Sequence, residues 1–135
     1  MRVVLDTNVL VSGLISGTGP PGRIVELIPR KLFVPCFDAR ILAEYREVLL
    51  RPRLRIAPDA VEELLADLGE EGEIVVGLPL PERLSHPADE PFLEVAMAAR
   101  ADFLVTGNLR HFPARLRQGV TVVSPREFLD ELRRS

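Results

Sequence analysis

Hydrophobic residues along this chain fall into two alternating patterns. Short, mostly apolar runs occupy residues 2–5, 32–34, 74–76, 103–105 and 120–123. Between them, apolar residues recur with a period near 3.6: Ile24, Val25 and Ile28; Ile41, Leu42, Tyr45, Val48 and Leu49; Val61, Leu64, Leu65 and Leu68; Phe92, Leu93, Ala96 and Ala99; Phe128, Leu129 and Leu132. The first pattern predicts strands buried on both faces, and the second predicts amphipathic helices. Residues 9–15 read as a further helix, followed by a turn at 16–21 and a short helix at 22–28.

Local signals set the expected boundaries. Pro35 closes the second strand. Asp38 reads as an N-cap and Pro52 as the stop of the helix between them. Asp59 reads as the cap of the next helix and Gly69 as its end. Residues 77–88 form a proline-rich connector, after which Asp89 opens a helix. Ser124, Pro125 and Glu127 make a capping-box start for the last one. Strands alternating with helices predict a parallel sheet covered on both faces. No internal repeat or low-complexity stretch interrupts the 135 residues, and that length predicts one domain over residues 1–135.

Composition narrows the functional classes. The chain is 47% hydrophobic and 27% charged, ordinary for a globular protein. Cys36 is the only cysteine, so neither an internal disulfide nor a thiolate metal cluster is available, and it reads as a small buried apolar residue. No apolar run reaches the ~20 residues of a membrane helix. Residues 1–5 read as a strand rather than as a secretion signal, so a cytoplasmic protein is expected. The net charge of −3 argues against a general nucleic-acid coat. It leaves room for a nucleic-acid substrate, since an acidic metal site depresses the isoelectric point.

In open parallel sheets, ligands bind beyond the carboxyl ends of the strands. That rule picks out Asp6-Thr7-Asn8 after the first strand and Thr106-Gly107-Asn108 after the fourth. Three acids draw attention: Asp6, Glu44 and Asp89. Each also has an ordinary explanation. Asp6 would cap the following helix. Glu44 would pair with Arg40 one turn earlier, for roughly 0.3–0.5 kcal/mol. Asp89 would cap its own helix, with Glu90 a neighbouring acid turned toward solvent. Taken together at one end of a sheet, however, three carboxylates repel. Unit charges ~4 Å apart do so by roughly 4 kcal/mol at an effective dielectric of 20. An oxygen-rich cluster of this kind suits Mg²⁺ or Mn²⁺, and no histidine pair or cysteine set competes for the role.

Four blocks carry a resemblance: residues 3–12 (VVLDTNVLVS), Glu44 within residues 41–49, Asp89-Glu90-Pro91-Phe92-Leu93 with Ala96, and residues 102–108 (DFLVTGN). In order and spacing they resemble PIN-domain proteins, of the kind that serve as ribonuclease toxins in bacterial and archaeal toxin–antitoxin pairs. The resemblance implies a three-layer α/β/α sandwich with a central parallel sheet of about five strands. It implies Mg²⁺- or Mn²⁺-dependent cleavage of RNA leaving a 5′-phosphate. Asp6 and Asp89 would ligate metal directly, Glu44 would bind metal or orient its water, and Asn8, Ser12 and Thr106 would support the site. It further implies a homodimer held inactive by an antitoxin. The apolar residues of the second helix (Val25, Ile28) and of the Asp59 helix are the surfaces expected to meet a partner, although core packing would use them equally well.

The chain departs from the family where a fourth aspartate often follows Thr106-Gly107. Asn108 stands there, able to ligate through its amide oxygen or to serve as a turn residue. His86 stands in the connector where relatives often carry an acid, and reads as surface. Arg51, Arg53, Arg110 and His111 are the cations expected to meet RNA phosphates. Two other classes remain open: a PIN-like module that binds RNA or protein without cutting, and a phosphotransferase of the haloacid-dehalogenase type. The latter needs a second acid two residues after the first, where Asn8 stands, and a lysine. Lys31, the only lysine, precedes a strand and is badly placed for that job.

Overall fold

The computed structural model describes residues 1–135. Five strands form one all-parallel sheet: β1 (Arg2–Leu5), β2 (Val34–Phe37), β3 (Glu73–Ile74), β4 (Phe103–Val105) and β5 (Val122–Val123). Their order across the sheet is β3-β2-β1-β4-β5. Six α-helices connect and cover them: α1 (Thr7–Ile15), α2 (Pro20–Leu27), α3 (Ala39–Leu49), α4 (Pro58–Glu71), α5 (Glu90–Ala98) and α6 (Pro125–Arg134). Helix α5 packs across β1, β2 and β4; α3 and α4 pack against β2, and α6 against β4, with α2 lying between α1 and α6. This is the expected α/β/α sandwich. No helix is long and apolar enough to cross a membrane.

The apolar runs of the central strands are buried as expected, whereas the run at 74–76 is not: β3 covers only Glu73–Ile74, and Ile74 and Val76 are exposed. Val3, Val4, Leu5, Leu104 and Val105 are buried under helices. The order makes β1 the centre and places the point where the strand order switches direction between β1 and β4. Three β1–β4 residue pairs fix the register there, ending at Leu5 opposite Val105. The segments that follow these two residues therefore emerge side by side at the carboxyl edge.

Several boundaries differ from the sequence-based expectation. Pro35 lies inside β2 instead of closing it, opposite Val3. The Val34 N–H faces β1, donating to Met1 at 2.8 Å. The Pro35 nitrogen therefore faces the other side, where β3 pairs only with Cys36 and Phe37, so no ladder bond is lost there. Helix α4 begins at Pro58, a residue suited to the first helical position, which leaves Asp59 in the first turn and not at the cap. It passes Gly69 and ends at Gly72. A Cβ at Gly72 would meet the Phe37 ring at 2.5 Å and the Leu68 carbonyl at 2.6 Å, so glycine admits the close turn into β3. Asp38 caps α3 by accepting from the Ile41 N–H at 2.9 Å, and Ser124 and Glu127 complete the capping box of α6.

The helix residues expected to meet a partner are largely spent on the core. Ile28, Val61, Leu64, Leu65 and Leu68 are buried. The large exposed apolar side chains instead include Ile74, Val76 and Leu78, at and beyond the edge strand β3.

Candidate metal centre

Asp6 leaves β1 at the head of α1, where an aspartate would ordinarily cap. Its side chain makes no capping hydrogen bond. Its Oδ2 instead accepts from the Thr106 hydroxyl at 2.8 Å and from the Asn8 amide at 3.4 Å. The network continues outward. The Asn108 N–H donates to Thr106 Oγ1 at 3.0 Å, and the Gly107 N–H donates to Asn8 Oδ1 at 3.0 Å. The turn after β4 thus clamps the turn after β1. Gly107 suits that approach, since a Cβ there would come within 3.3 Å of Asn8 Oδ1. Asn108 enters the network through its backbone.

Asp6 and Thr106 are both buried. Burial is the largest influence on the Asp6 carboxyl and pushes its pKa up from 3.8 to about 6; the Thr106 bond opposes that, and the charges of Asp89 and Glu44 add to the rise. Tyr45, fully buried on α3, donates its hydroxyl to the Leu5 carbonyl and ties α3 to the end of β1. Burial, and then the Asp6 and Glu44 charges, hold its phenol well above the usual range, so it stays a neutral donor.

Glu44 does not pair with Arg40. Arg40 bonds to Asp38 at 2.7 Å and to Glu94 at 2.8 Å, while Glu44 Oε2 accepts from the Thr7 hydroxyl. Glu44 is therefore tethered to the residue after Asp6.

Asp89 lies at the core edge as expected, whereas Glu90 does not turn to solvent. Asp89 ends a short 3₁₀ turn (Pro87–Asp89) ahead of α5 and makes no capping bond. Its Oδ2 is buried and accepts no hydrogen bond. His111 Nδ1 lies 2.8 Å from that oxygen, within ion-pair reach. Glu90, expected at the solvent side, is buried. It accepts from Arg83 at 3.0 and 3.1 Å and from the Leu84 N–H at 2.9 Å, which anchors the proline-rich connector and holds its carboxyl below the usual range.

The remaining expected residues scatter. Ser12 is exposed and bonds to none of these groups. Arg51 is engaged by Glu47 at 2.8 Å. Arg53 and Arg110 are exposed without an acidic partner. His111, expected on the RNA surface, stands against Asp89 instead. His86, expected as plain surface, stacks on His111 with ring centroids 4.1 Å apart and planes 19° apart. Nothing in the spacing of the two histidines pointed to this pairing.

The donors fit a hard divalent cation. They are carboxylate oxygens; one is buried without a hydrogen bond, and another belongs to a carboxyl raised first by burial and then by its neighbours' charges. As placed, no three acid, histidine or cysteine side chains close on a single point.

Comparison with known proteins agrees with this architecture. The PIN domain family matches residues 2–110. An uncharacterized protein of Methanocaldococcus jannaschii, MJ1680, is 42% identical over 55 residues, which span 41% of this chain and 36% of that protein. The match thus covers only about a third of that relative's length. Among solved structures, VapBC2 from Rickettsia felis, bound to a DNA fragment from their promoter, superposes with a TM-score of 0.56 at 15% identity, over 92% of this chain and 98% of that one. The model of the family spans most of the chain, including the Asp6, Glu44 and Asp89 segments, and the chain belongs to the PIN-domain family.

Proposed function

We propose that this chain is a single-domain, Mg²⁺- or Mn²⁺-dependent endoribonuclease and the toxin component of a cytoplasmic toxin–antitoxin pair, working as a homodimer. The observation that carries the reading is the buried Asp6 carboxylate, fixed by Thr106 and Asn8 beside the β1–β4 switch in strand order and raised by burial and, to a smaller extent, by the charges of Asp89 and Glu44. Helix capping does not account for it, because its side chain caps nothing.

Asp6 and Asp89 would hold the cation, with Glu44 contributing directly or orienting a water, and Asn108 able to add a neutral amide oxygen. When bound, the cation would polarise the phosphodiester and lower the pKa of a water. The chain's own residues supply the rest. Thr106 and Asn8 keep Oδ2 of Asp6 in one orientation, and Thr7 does the same for Glu44. Arg53 and Arg110 are free to meet phosphates. Attack of water on phosphorus breaks the P–O3′ bond and leaves a 5′-phosphate and a 3′-hydroxyl.

The toxin role draws on PIN-domain membership and on the fold shared with the Rickettsia felis VapBC2 assembly. The test is cleavage of single-stranded RNA with Mn²⁺ by the wild type and by Asp6→Asn. The variant is expected to stay folded and lose activity, and full activity in it would refute the assignment. A second reading, a PIN-like module that binds RNA or protein without cutting, draws on the absence of three converged ligands and on the uncharged Asn108. Calorimetry showing no uptake of millimolar Mg²⁺ or Mn²⁺ would select it.

A further inference from the structure

The stacked histidines leave one ring face open. His111 is half-buried and covers one face of His86, with centroids 4.1 Å apart and planes 19° apart. His86 is nonetheless exposed, so its open side is the face turned away from His111. The backbone holds the ring as well: the Asp89 N–H donates to the His86 carbonyl at 3.0 Å, and Pro87 follows at the start of the 3₁₀ turn. A surface ring fixed in this way has already lost the rotamer freedom that stacking on a ligand would otherwise cost. No other aromatic ring offers such a face, for Phe103 is half-buried, and Tyr45 and the remaining Phe side chains are buried. The surroundings favour a nucleotide. Through His111, which lies 2.8 Å from Asp89, the ring adjoins the candidate metal centre. Arg110, exposed and without an acidic partner, precedes His111 in the 3₁₀ turn Leu109–His111. A flat ring beside a free guanidinium suits an unpaired nucleotide, the ring taking the base and the cation the phosphate.

We propose that the outer face of His86 is a stacking platform for one unpaired base of single-stranded RNA, beside the metal centre, with Arg110 meeting the backbone of the same strand. This rests on the ribonuclease reading above. Stacking uses the imidazole face in either protonation state. A base inside a duplex has its faces covered by its neighbours, so the platform selects unpaired RNA. His111 is a positioning residue that holds the ring plane.

The test is binding of a short, labelled single-stranded oligoribonucleotide to the full chain, followed by fluorescence anisotropy in chelator and again in Ca²⁺. In a series where each base in turn is removed to leave an abasic ribose, one position is expected to weaken binding about tenfold. His86→Ala is expected to bind the intact strand about tenfold more weakly and to show no further loss at that position. His86→Phe, which keeps a stacking ring, is expected to match the wild type. A purely structural role for His86 would lower affinity in His86→Ala but leave the abasic penalty in place. That result, or a wild type with no sensitive position, overturns the proposal and leaves the nuclease reading to its own cleavage test. A wild type that binds no single-stranded RNA in either condition overturns the platform and the RNA reading together. Should His86→Ala fail to fold, His86→Leu, apolar but without a ring, carries the same comparison.

Discussion

The Thr106 hydroxyl donates to Asp6 Oδ2 across 2.8 Å, joining the ends of two strands whose residues lie 100 positions apart in the chain. The same hydroxyl oxygen accepts from the Asn108 N–H, so one buried side chain holds both the acid and the turn beside it. Thr106→Val keeps the shape and removes both bonds. We expect it to lower stability by about 1–3 kcal/mol, since a donor and an acceptor lose their partners together. We also expect it to weaken Mn²⁺ binding by roughly 10- to 100-fold, as loss of outer-sphere support does at other metal sites. Denaturant titration and calorimetry measure the two effects, and wild-type values in both would show that the hydroxyl is a bystander.

Asp6→Asn should separate function from stability. Asparagine keeps an oxygen to accept from Thr106 but carries no charge into a buried site beside Asp89 and Glu44. In chelator near neutral pH the variant is expected to be more stable than the wild type, while it loses RNA cleavage. A lower melting temperature under those conditions would mean that the Asp6 charge is not a burden to the metal-free fold.

The same carboxylate makes stability depend on pH. Its pKa is raised from 3.8 to about 6, so the folded protein holds the proton more tightly than the unfolded chain. Its contribution is therefore full below about pH 4 and is lost as the pH rises through about 6. A change of that size corresponds to roughly 3 kcal/mol. Asp89 and Glu44 are the neighbouring acids whose charges bear on it. Subtracting the Asp6→Asn profile from the wild-type profile in chelator isolates it, and a flat difference between about pH 4 and pH 7 would contradict the geometry.

Neighbouring acids should behave oppositely. Glu90→Ala strands the buried Leu84 N–H and frees Arg83, so a loss of about 1–3 kcal/mol is expected in chemical denaturation, with metal uptake little changed. Asp89→Asn should leave stability near wild type and abolish Mn²⁺ uptake. Reversal of this pattern would exchange the roles of the two residues.

Much of the fold was legible from one-dimensional pattern. Short apolar runs alternating with helix-period segments pointed to buried strands in a parallel sheet, which holds for the central strands β1 and β4 but not for the exposed edge strand β3. The carboxyl-edge rule then pointed to Asp6 and Thr106 without knowledge of a single contact. Boundaries were less legible wherever a long-range partner decided them. Pro35 fits inside β2 only because β3 is short, and Gly72 rather than Gly69 ends α4 only because the Phe37 ring lies against it.

By itself, then, the sequence determined the layers, the order of elements and the end of the sheet where chemistry belongs, because periodicity and caps act within one or two turns of chain. What each acid does there was decided by tertiary structure alone. Thr7 takes Glu44 from 37 residues away, Arg83 and Leu84 turn Glu90 into an anchor, and His111 meets Asp89 from the far side of β4. These partners are set by how loops close over a finished sheet, and a carboxylate's role follows from the donor or charge that reaches it, which spacing along the chain does not encode.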